Sequence, residues 1–124
     1  MNLDDDTVDE LPAPPRKDIP AADRELLELA ARALGARFEE VDGEGYGNLH
    51  FEDGSIVHAW NPLQFSGDTF ELQVRMKMQV SVDEEMAVAR CAEGFAGEPV
   101  GSDPTASARR AVMRVAAEVG KQRS

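Results

Sequence analysis

The sequence predicts an α+β domain in which an N-terminal and a C-terminal helix pack on an antiparallel sheet of about four or five strands. Two segments, near residues 23–35 and 103–120, place apolar residues at helical spacing. Between them, residues 69–83 alternate apolar and polar side chains, and an Asp-Gly turn separates two shorter apolar-bearing segments. Because the alternate positions of residues 69–83 are polar, one face of the sheet is expected in water, which favours two layers.

The chain begins with a segment that lacks apolar periodicity. Residues 1–22 hold four of the seven prolines and carry six acidic side chains against two basic ones, so we expect a disordered, acidic, proline-rich arm. A single folded domain is expected over residues 23–121. Its first helix is predicted to begin with Asp23 as N-cap and to end before Gly35, a residue suited to the left-handed position that follows a helix.

A hairpin is predicted at the Asp53-Gly54 dipeptide. A two-residue type I′ turn suits this pair because both positions require a positive φ angle. That turn places Leu49 opposite His58. One face of the hairpin would then carry the side chains of Leu49, Phe51, Ile56, His58 and Trp60.

The strongest strand signal is Thr69–Asp83, where seven apolar residues recur at every second position. A helix would spread these residues around its circumference, so the period of two favours a strand with one buried face. Shorter strands are expected at Ala36–Val41 and at Met86–Cys91, the latter pairing with the long strand. Residues 93–102 are predicted to form a loop because they contain three glycines and a proline.

The second helix has clear signals at both ends. Asp103 is a suitable N-cap, and Pro104 follows it at the first helical position, where the missing N–H of proline costs nothing. Small apolar residues then recur at helical spacing, and Gly120 is predicted to end the helix.

The formal charge of the chain is −11, from 13 basic and 24 acidic residues. Such a surface repels phosphate backbones, so we expect no direct nucleic-acid binding, whereas a basic protein partner suits it. No apolar run reaches the roughly 18 residues of a membrane span, and the acidic N-terminus is unlike a secretory signal. The single cysteine indicates a reducing compartment, so we expect a cytoplasmic protein without membrane contact.

The histidines and the cysteine do not form a recognisable catalytic or metal-binding constellation. In the predicted register His50 and His58 lie on opposite faces of the hairpin, and no second cysteine completes a zinc site. The residues that flank Cys91 include no histidine, and no helix N-terminus is predicted there to activate its thiol. We therefore expect a protein without a metal, without a cofactor and without enzymatic activity.

Five residues are candidates for binding. Trp60 lies at a strand end before a proline turn and is either a binding anchor or a plug for the end of a small core. Arg109, Arg110 and Arg114 form a basic patch on the second helix. The patch either holds an acidic partner or a phosphate or neutralises acidic residues within the fold. His58, together with Trp60 and Arg110, is a candidate lining for a cleft between the hairpin and this helix.

Three segments together resemble a known family. They are Arg24–Ala33, the Trp60-Asn61-Pro62-Leu63 segment leading into Gly67-Asp68, and residues 106–112 with 116–120. As a set they are similar to small phage and prophage proteins with a phage ABA sandwich domain, over about residues 23–121. The resemblance implies helices around a central sheet, and it implies no catalytic residues.

These observations lead to one functional hypothesis and two alternatives. The hypothesis is a non-enzymatic phage or prophage accessory protein that binds a host or phage protein. Its sharpest form is an acidic inhibitor that occupies the basic groove of a nucleic-acid-handling or defence protein. The alternatives are a small-molecule or nucleotide-binding protein and a minor virion assembly component.

Overall fold

A computed structural model describes residues 15–123 and shows an α+β fold. Within these residues there are three helices and six strands. The helices are α1 (Ala21–Ala33), α2 (Ser66–Arg75) and α3 (Pro104–Gln122), and the strands are β1 (Ala36–Val41), β2 (Tyr46–Phe51), β3 (Ile56–Trp60), β4 (Gln79–Val82), β5 (Met86–Cys91) and β6 (Gly94–Pro99). The strands form two separate antiparallel sheets, with the orders β1-β2-β3 and β4-β5-β6, so the prediction of one sheet of four or five strands is wrong in detail.

The first helix begins earlier than predicted. Pro20 is its N-cap residue, and Asp23, the predicted cap, lies in the first turn instead. A carboxylate in the first turn is still favourable because it faces the positive end of the helix dipole. The C-terminal prediction is confirmed, since Gly35 follows the helix with a φ angle of 77°.

Part of the predicted arm contacts the domain. The N–H of Lys17 donates to the carbonyl of Gly43 over 2.9 Å, and Ile19 is buried in the core. Residues 1–14 lie outside the described residues. The disordered arm therefore stays a prediction for that segment, while residues 15–20 lie against the turn between β1 and β2.

The hairpin turn has three loop residues rather than two. The N–H of Phe51 donates to the carbonyl of Ser55, and the N–H of Gly54 donates to the carbonyl of Phe51, both over 3.0 Å. Gly54 has a φ angle of 89°, whereas Asp53 does not have a positive φ angle. The side chain of Asp53 accepts a hydrogen bond from the N–H of Ser55. The predicted type I′ turn is therefore wrong, and the three-residue loop has glycine at its left-handed position.

The longer turn shifts the strand register by one residue. Leu49 pairs with Val57, not with His58, so the predicted face of the hairpin is wrong. The register then shifts again before Trp60. Ala59 has a φ angle of 55° at this irregularity. We attribute the return of Trp60 to the core side to this second shift, because a bulge re-aims the side chains that follow it.

The largest correction concerns Thr69–Asp83, which does not form one strand. Its first half belongs to α2 and its second half to β4. The apolar residues are accordingly spread around the helix. Leu72 is buried, while Phe70 and Val74 are exposed. A helix over these residues also aligns Thr69 and Leu72 on one buried face, three residues apart.

The second sheet contains β4, which is the end of the predicted long strand, one further predicted strand, and one strand that was not predicted. The strand Met86–Cys91 is confirmed, with β4 on one side and β6 on the other. Residues 93–102 were predicted as a loop, but Gly94–Pro99 pairs along the whole of β5, from Met86 opposite Pro99 to Cys91 opposite Gly94. Two glycines within β6 concealed this strand, because glycine is depleted in strands and enriched in turns.

The last helix begins as predicted and ends later. Asp103 caps it by accepting a hydrogen bond from the N–H of Ala106 over 3.1 Å. The helix continues past Gly120 to Gln122. Gly120 instead allows close approach to α1, since a Cβ atom there would lie 1.8 Å from the carbonyl oxygen of Leu29.

The helices α1 and α3 pack side by side and run in the same direction. Asp23 contacts Arg110 near their beginnings, Leu29 approaches Gly120, and the carbonyl of Ala33 accepts from Arg123 at their ends. The α3 helix also packs on β5 and β6, and α1 packs on β1. Their apolar faces form the main core, whose fully buried members include Leu27, Leu49, Leu72, Val112, Met113 and Val115. No helix within residues 15–123 is long and apolar enough to span a bilayer.

Candidate functional site

Trp60 belongs to the core. Its side chain is only 4% exposed, and its ring centroid lies 6.0 Å from that of Phe38 at a tilted angle. Gly47, which pairs with Trp60 across the sheet, is itself tightly enclosed, since a Cβ there would lie 2.5 Å from the ring of Phe38. Of the two interpretations of Trp60, the structure supports the core plug.

The corner between β3 and α2 is organised by Asn61, which is buried. Its Nδ2 donates to the carbonyl of Gly45 over 2.7 Å, and its Oδ1 accepts from the N–H of Leu63 over 2.9 Å. Its own N–H donates to a carboxylate oxygen of Asp68 over 3.0 Å. A carboxamide is required here because the side chain both donates and accepts.

Asp68 is a half-buried carboxylate on the first turn of α2. Burial raises the pKa of Asp68 above its ordinary value, and the hydrogen bond from Asn61 opposes that shift. Within residues 15–123 it forms no ion pair. The hydrogen bond between Asp68 and Asn61 holds the corner to the helix.

Two side chains fix the beginning of α2. The hydroxyl of Thr69 donates to the carbonyl of Pro62. Arg109 on α3 donates from Nε to the carbonyl of Leu63 and from Nη1 to the hydroxyl of Ser66, each over 3.0 Å. Arg109, predicted as part of a basic binding patch, therefore ties α3 to the start of α2.

The other two arginines of the predicted patch are engaged within the fold. Arg110 donates to Asp23 over 3.0 Å and lies 4.0 Å from a carboxylate oxygen of Glu98. Arg114 forms an ion pair with Glu98 and donates to the carbonyl of Gly97 over 2.9 Å. Of the two interpretations of the patch, these contacts favour neutralisation of acidic residues within the fold.

The histidines and the cysteine lie apart. His50 is half-buried with its Nε2 3.0 Å from Glu39, whereas His58 is exposed on β3. Cys91 is half-buried at the end of β5. Among residues 15–123, no group of three or more histidine, cysteine, aspartate or glutamate side chains is placed to hold a metal ion.

The carboxylates that remain exposed contrast with these paired arginines. Five of the acidic residues precede Pro15, so residues 15–123 carry a formal charge of −6. Several exposed glutamates have no ion-pair partner within that part of the chain. They include Glu52 in the hairpin, Glu71 on α2, and Glu84 and Glu85 in the turn between β4 and β5.

A cavity of about 320 Å³ lies beside the Asn61 corner. Tyr46 and Phe65 line it with their rings 6.5 Å apart. Lys17 and Glu44, which are exposed, contribute to its mouth. Its volume falls at the lower end of the range of small-molecule sites. Neither Trp60, His58 nor Arg110 lines this cavity.

A second group of cations lies where the helices end. Arg75, Lys77 and Arg123 line one cavity of about 520 Å³ together with residues at the end of α1. Arg123 lies 3.7 Å from Glu93 and also donates to the carbonyl of Ala33. Cations at helix C-termini counter the negative end of the helix dipole, so the fold accounts for this group without a ligand.

The feature that sequence reasoning missed is the outer face of α2, formed by Phe70 and Val74. Phe70 is 63% exposed and Val74 is 55% exposed. Predicted as strand residues, both were expected in the core. The signal that marks them is their spacing of four, which makes them neighbours once the segment is helical.

No protein-family model, curated protein or solved structure matches this chain.

Proposed function

We propose that this chain is a non-enzymatic phage or prophage accessory protein that acts in the host cytoplasm by binding a basic protein partner. Its sharpest form is an inhibitor that occupies a basic groove which otherwise holds nucleic acid. The family resemblance of residues 23–121 supports the phage assignment, and the single cysteine supports a reducing compartment.

The observation that carries the proposal is the excess of acidic over basic side chains, which leaves residues 15–123 with a formal charge of −6. Arg110 and Arg114 are engaged by Asp23 and Glu98, so they add little positive potential to the surface. Exposed glutamates such as Glu71 and Glu84 have no such partner within residues 15–123. The potential that a partner meets is therefore negative, which steers basic surfaces towards the chain and repels phosphate backbones.

The test is a pull-down with tagged full-length chain from host lysate at two salt concentrations. Between about 0.1 M and about 1 M salt the Debye length falls from about 10 Å to about 3 Å. We expect a specific basic partner at low salt that is lost at high salt. Recovery that is unchanged by salt would contradict the electrostatic basis of the proposal, as would a partner without a basic surface.

A pair of charge-matched variants locates the surface. The first replaces four of the exposed glutamates that have no ion-pair partner within residues 15–123 by glutamine, at Glu52, Glu71, Glu84 and Glu85. The second replaces Asp4, Asp5, Asp6 and Asp9 by asparagine, which removes the same charge from the N-terminal segment. We expect the first variant to lose the partner and the second to retain it. Equal losses would show a general effect of net charge rather than recognition by the domain.

The cavity at Tyr46 and Phe65 favours a second candidate function, the binding of a small ligand. A ligand present at 100 times its dissociation constant adds about 2.7 kcal/mol to stability. A thermal-shift screen of nucleotides and small metabolites measures that stabilisation directly. Replacement of Phe65 by alanine removes one cavity wall at an exposed position, and loss of the thermal shift in that variant would assign the ligand to this cavity.

A further inference from the structure

The outer face of α2 is an apolar surface without a partner inside the described chain. Phe70 and Val74 are one helical turn apart and are 63% and 55% exposed. The opposite face of the same helix is occupied, since Thr69 and Leu72 are buried against the domain. The helix therefore has two apolar sides, of which the fold uses one. Adjacent exposed apolar side chains mark an interaction surface more often than isolated ones do.

The helix that carries this face is held at its N-terminal end by hydrogen bonds. Asp68 accepts from the N–H of Asn61, and the hydroxyl of Thr69 donates to the carbonyl of Pro62. Arg109 adds a bond from α3 to the hydroxyl of Ser66. The backbone of an already ordered helix loses little conformational freedom on binding, so a small surface can anchor a partner.

Charge decides what kind of partner fits. A second copy of this chain would bring together two molecules of formal charge −11, and like charges oppose association. Glu71, which is exposed, lies next to Phe70 on the same helix and has no ion-pair partner within residues 15–123. Arg75, one turn beyond Glu71, is exposed as well, so the charges beside the pair are balanced and the net negative charge of the chain selects the partner. A partner with an apolar groove bordered by lysine or arginine matches the apolar pair and the formal charge of −6 on residues 15–123.

We propose that Phe70 and Val74 are the anchor through which the chain docks into an apolar groove with a basic rim on its partner. This inference rests on the proposed function and specifies the surface that performs it. Glu71 supplies the polar edge of the contact, while the Asn61 corner positions the helix. Buried aromatic anchors surrounded by polar contacts carry most of the energy of protein interfaces.

A synthetic peptide that combines apolar and basic side chains serves as the probe of this surface. The peptide is an amphipathic helix of leucine and lysine, compared with a peptide in which glutamine replaces leucine. Binding to the ¹⁵N-labelled full-length chain is followed by amide chemical shifts and by calorimetry. We expect the leucine-lysine peptide to shift the amides of α2 and to bind at least about tenfold more tightly than the glutamine-lysine peptide, equivalent to about 1.4 kcal/mol.

Two variants with matched exposed phenylalanines give the decisive comparison. Phe70→Ser together with Val74→Ser should weaken binding of the peptide at least about tenfold. Phe95→Ser should leave it unchanged, although Phe95 on β6 is 78% exposed. Because all three side chains are exposed, both variants should keep the circular dichroism spectrum and urea midpoint of the parent chain.

Several results would overturn the inference. Equal weakening by Phe95→Ser would show non-specific adhesion to exposed apolar groups. A concentration-dependent dimer that Phe70→Ser abolishes would assign the face to a second copy. A basic partner recovered from lysate that binds the Phe70→Ser, Val74→Ser chain as tightly as the parent would reject this surface and leave the proposed function intact. Recovery of no basic partner at all would reject the proposed function itself.

Discussion

Gly120→Ala tests whether α1 and α3 contact each other through their backbones. A Cβ at residue 120 would lie 1.8 Å from the carbonyl oxygen of Leu29 and 2.7 Å from its carbonyl carbon, whereas real Cβ contacts are essentially never shorter than 3.0 Å. The clash is with backbone, which cannot turn away as a flexible side chain can. The helices must therefore separate by about 1 Å or more, or the last turn of α3 must unravel.

The size of the effect follows from two opposing contributions. Over-packing of a close-packed core costs about 1–3 kcal/mol and occasionally more. Alanine is favoured over glycine within a helix by about 1 kcal/mol. Because the clash is between the backbones of two helices that share the main core, we expect an over-packing cost at the upper end, about 3 kcal/mol. The preference for alanine reduces this to a net loss of about 2 kcal/mol in the free energy of unfolding.

Gly67→Ala provides the matched control. Gly67 also lies in a helix, in the first turn of α2, but a Cβ there would meet no atom within 4 Å. Only the propensity contribution remains, and it is reduced at a helix end. We therefore expect Gly67→Ala to raise the free energy of unfolding by about 0.5 kcal/mol.

Urea unfolding followed by fluorescence measures both variants, because the only tryptophan, Trp60, is buried in the core. With a slope of about 2 kcal/mol per molar urea, the midpoint of Gly120→Ala should fall by about 1 M. A Gly120→Ala chain as stable as the parent, or stabilised like Gly67→Ala, would refute the close approach of the two helices.

Three further substitutions test the ends of the helices and the corner. Lys77 occupies the left-handed position after α2 with a φ angle of 54°. Lys77→Gly should therefore raise the free energy of unfolding by about 0.5–1 kcal/mol, measured as a higher urea midpoint, and a lower midpoint would contradict this. Asp103→Ala removes the cap of α3 and should cost about 1 kcal/mol, measured by thermal unfolding, and no change would show that the cap contributes nothing. Burial raises the pKa of Asp68, so the folded chain binds this proton more tightly than the unfolded chain does. The parent should therefore gain stability relative to Asp68→Asn as the pH falls from about 7 to about 4, and a difference independent of pH would contradict the shift.

Local chemical signals predicted two element ends correctly. Gly35 after α1 and Asp103 before α3 are such cases, because a left-handed φ angle and a side-chain cap depend on a few adjacent residues. Gly120 was misread because a glycine at a helix end also serves to admit a neighbouring backbone. That second role depends on Leu29, about 90 residues away in the chain, and no local pattern reports it.

The strand prediction for residues 69–83 was wrong for a different reason, because the apolar residues there fit two periods. Phe70, Leu72 and Val74 alternate as in a strand, while Thr69 and Leu72 are also spaced as in a helix. The composition of Ser66–Arg75 does not decide between them, since glutamate, leucine, glutamine and arginine favour a helix whereas glycine, serine, aspartate and two β-branched residues do not. Neither periodicity nor propensity therefore resolves this segment from the sequence.

The hairpin shows how a small local difference changes the candidate site. Gly54 suits a two-residue and a three-residue loop equally, because both require a positive φ angle there. The bond from the Ser55 N–H to Asp53 accompanies the longer loop. The shift of one residue in the strand register places Val57, not His58, opposite Leu49. The predicted cleft of His58, Trp60 and Arg110 was therefore based on an incorrect register.

A residue whose contacts within the fold explain its presence is weak evidence for function. By this criterion the Asn61 corner differs from the outer face of α2. Asn61 and Trp60 are accounted for by internal hydrogen bonds and packing, so their chemistry needs no ligand. Phe70 and Val74 contribute nothing comparable to the core, and leaving them in water forgoes about 1.5–3 kcal/mol for each side chain that burial would recover. A partner that covers them recovers part of that free energy on binding. Under the proposed function the corner has an indirect role, because it fixes the orientation in which α2 presents these two side chains.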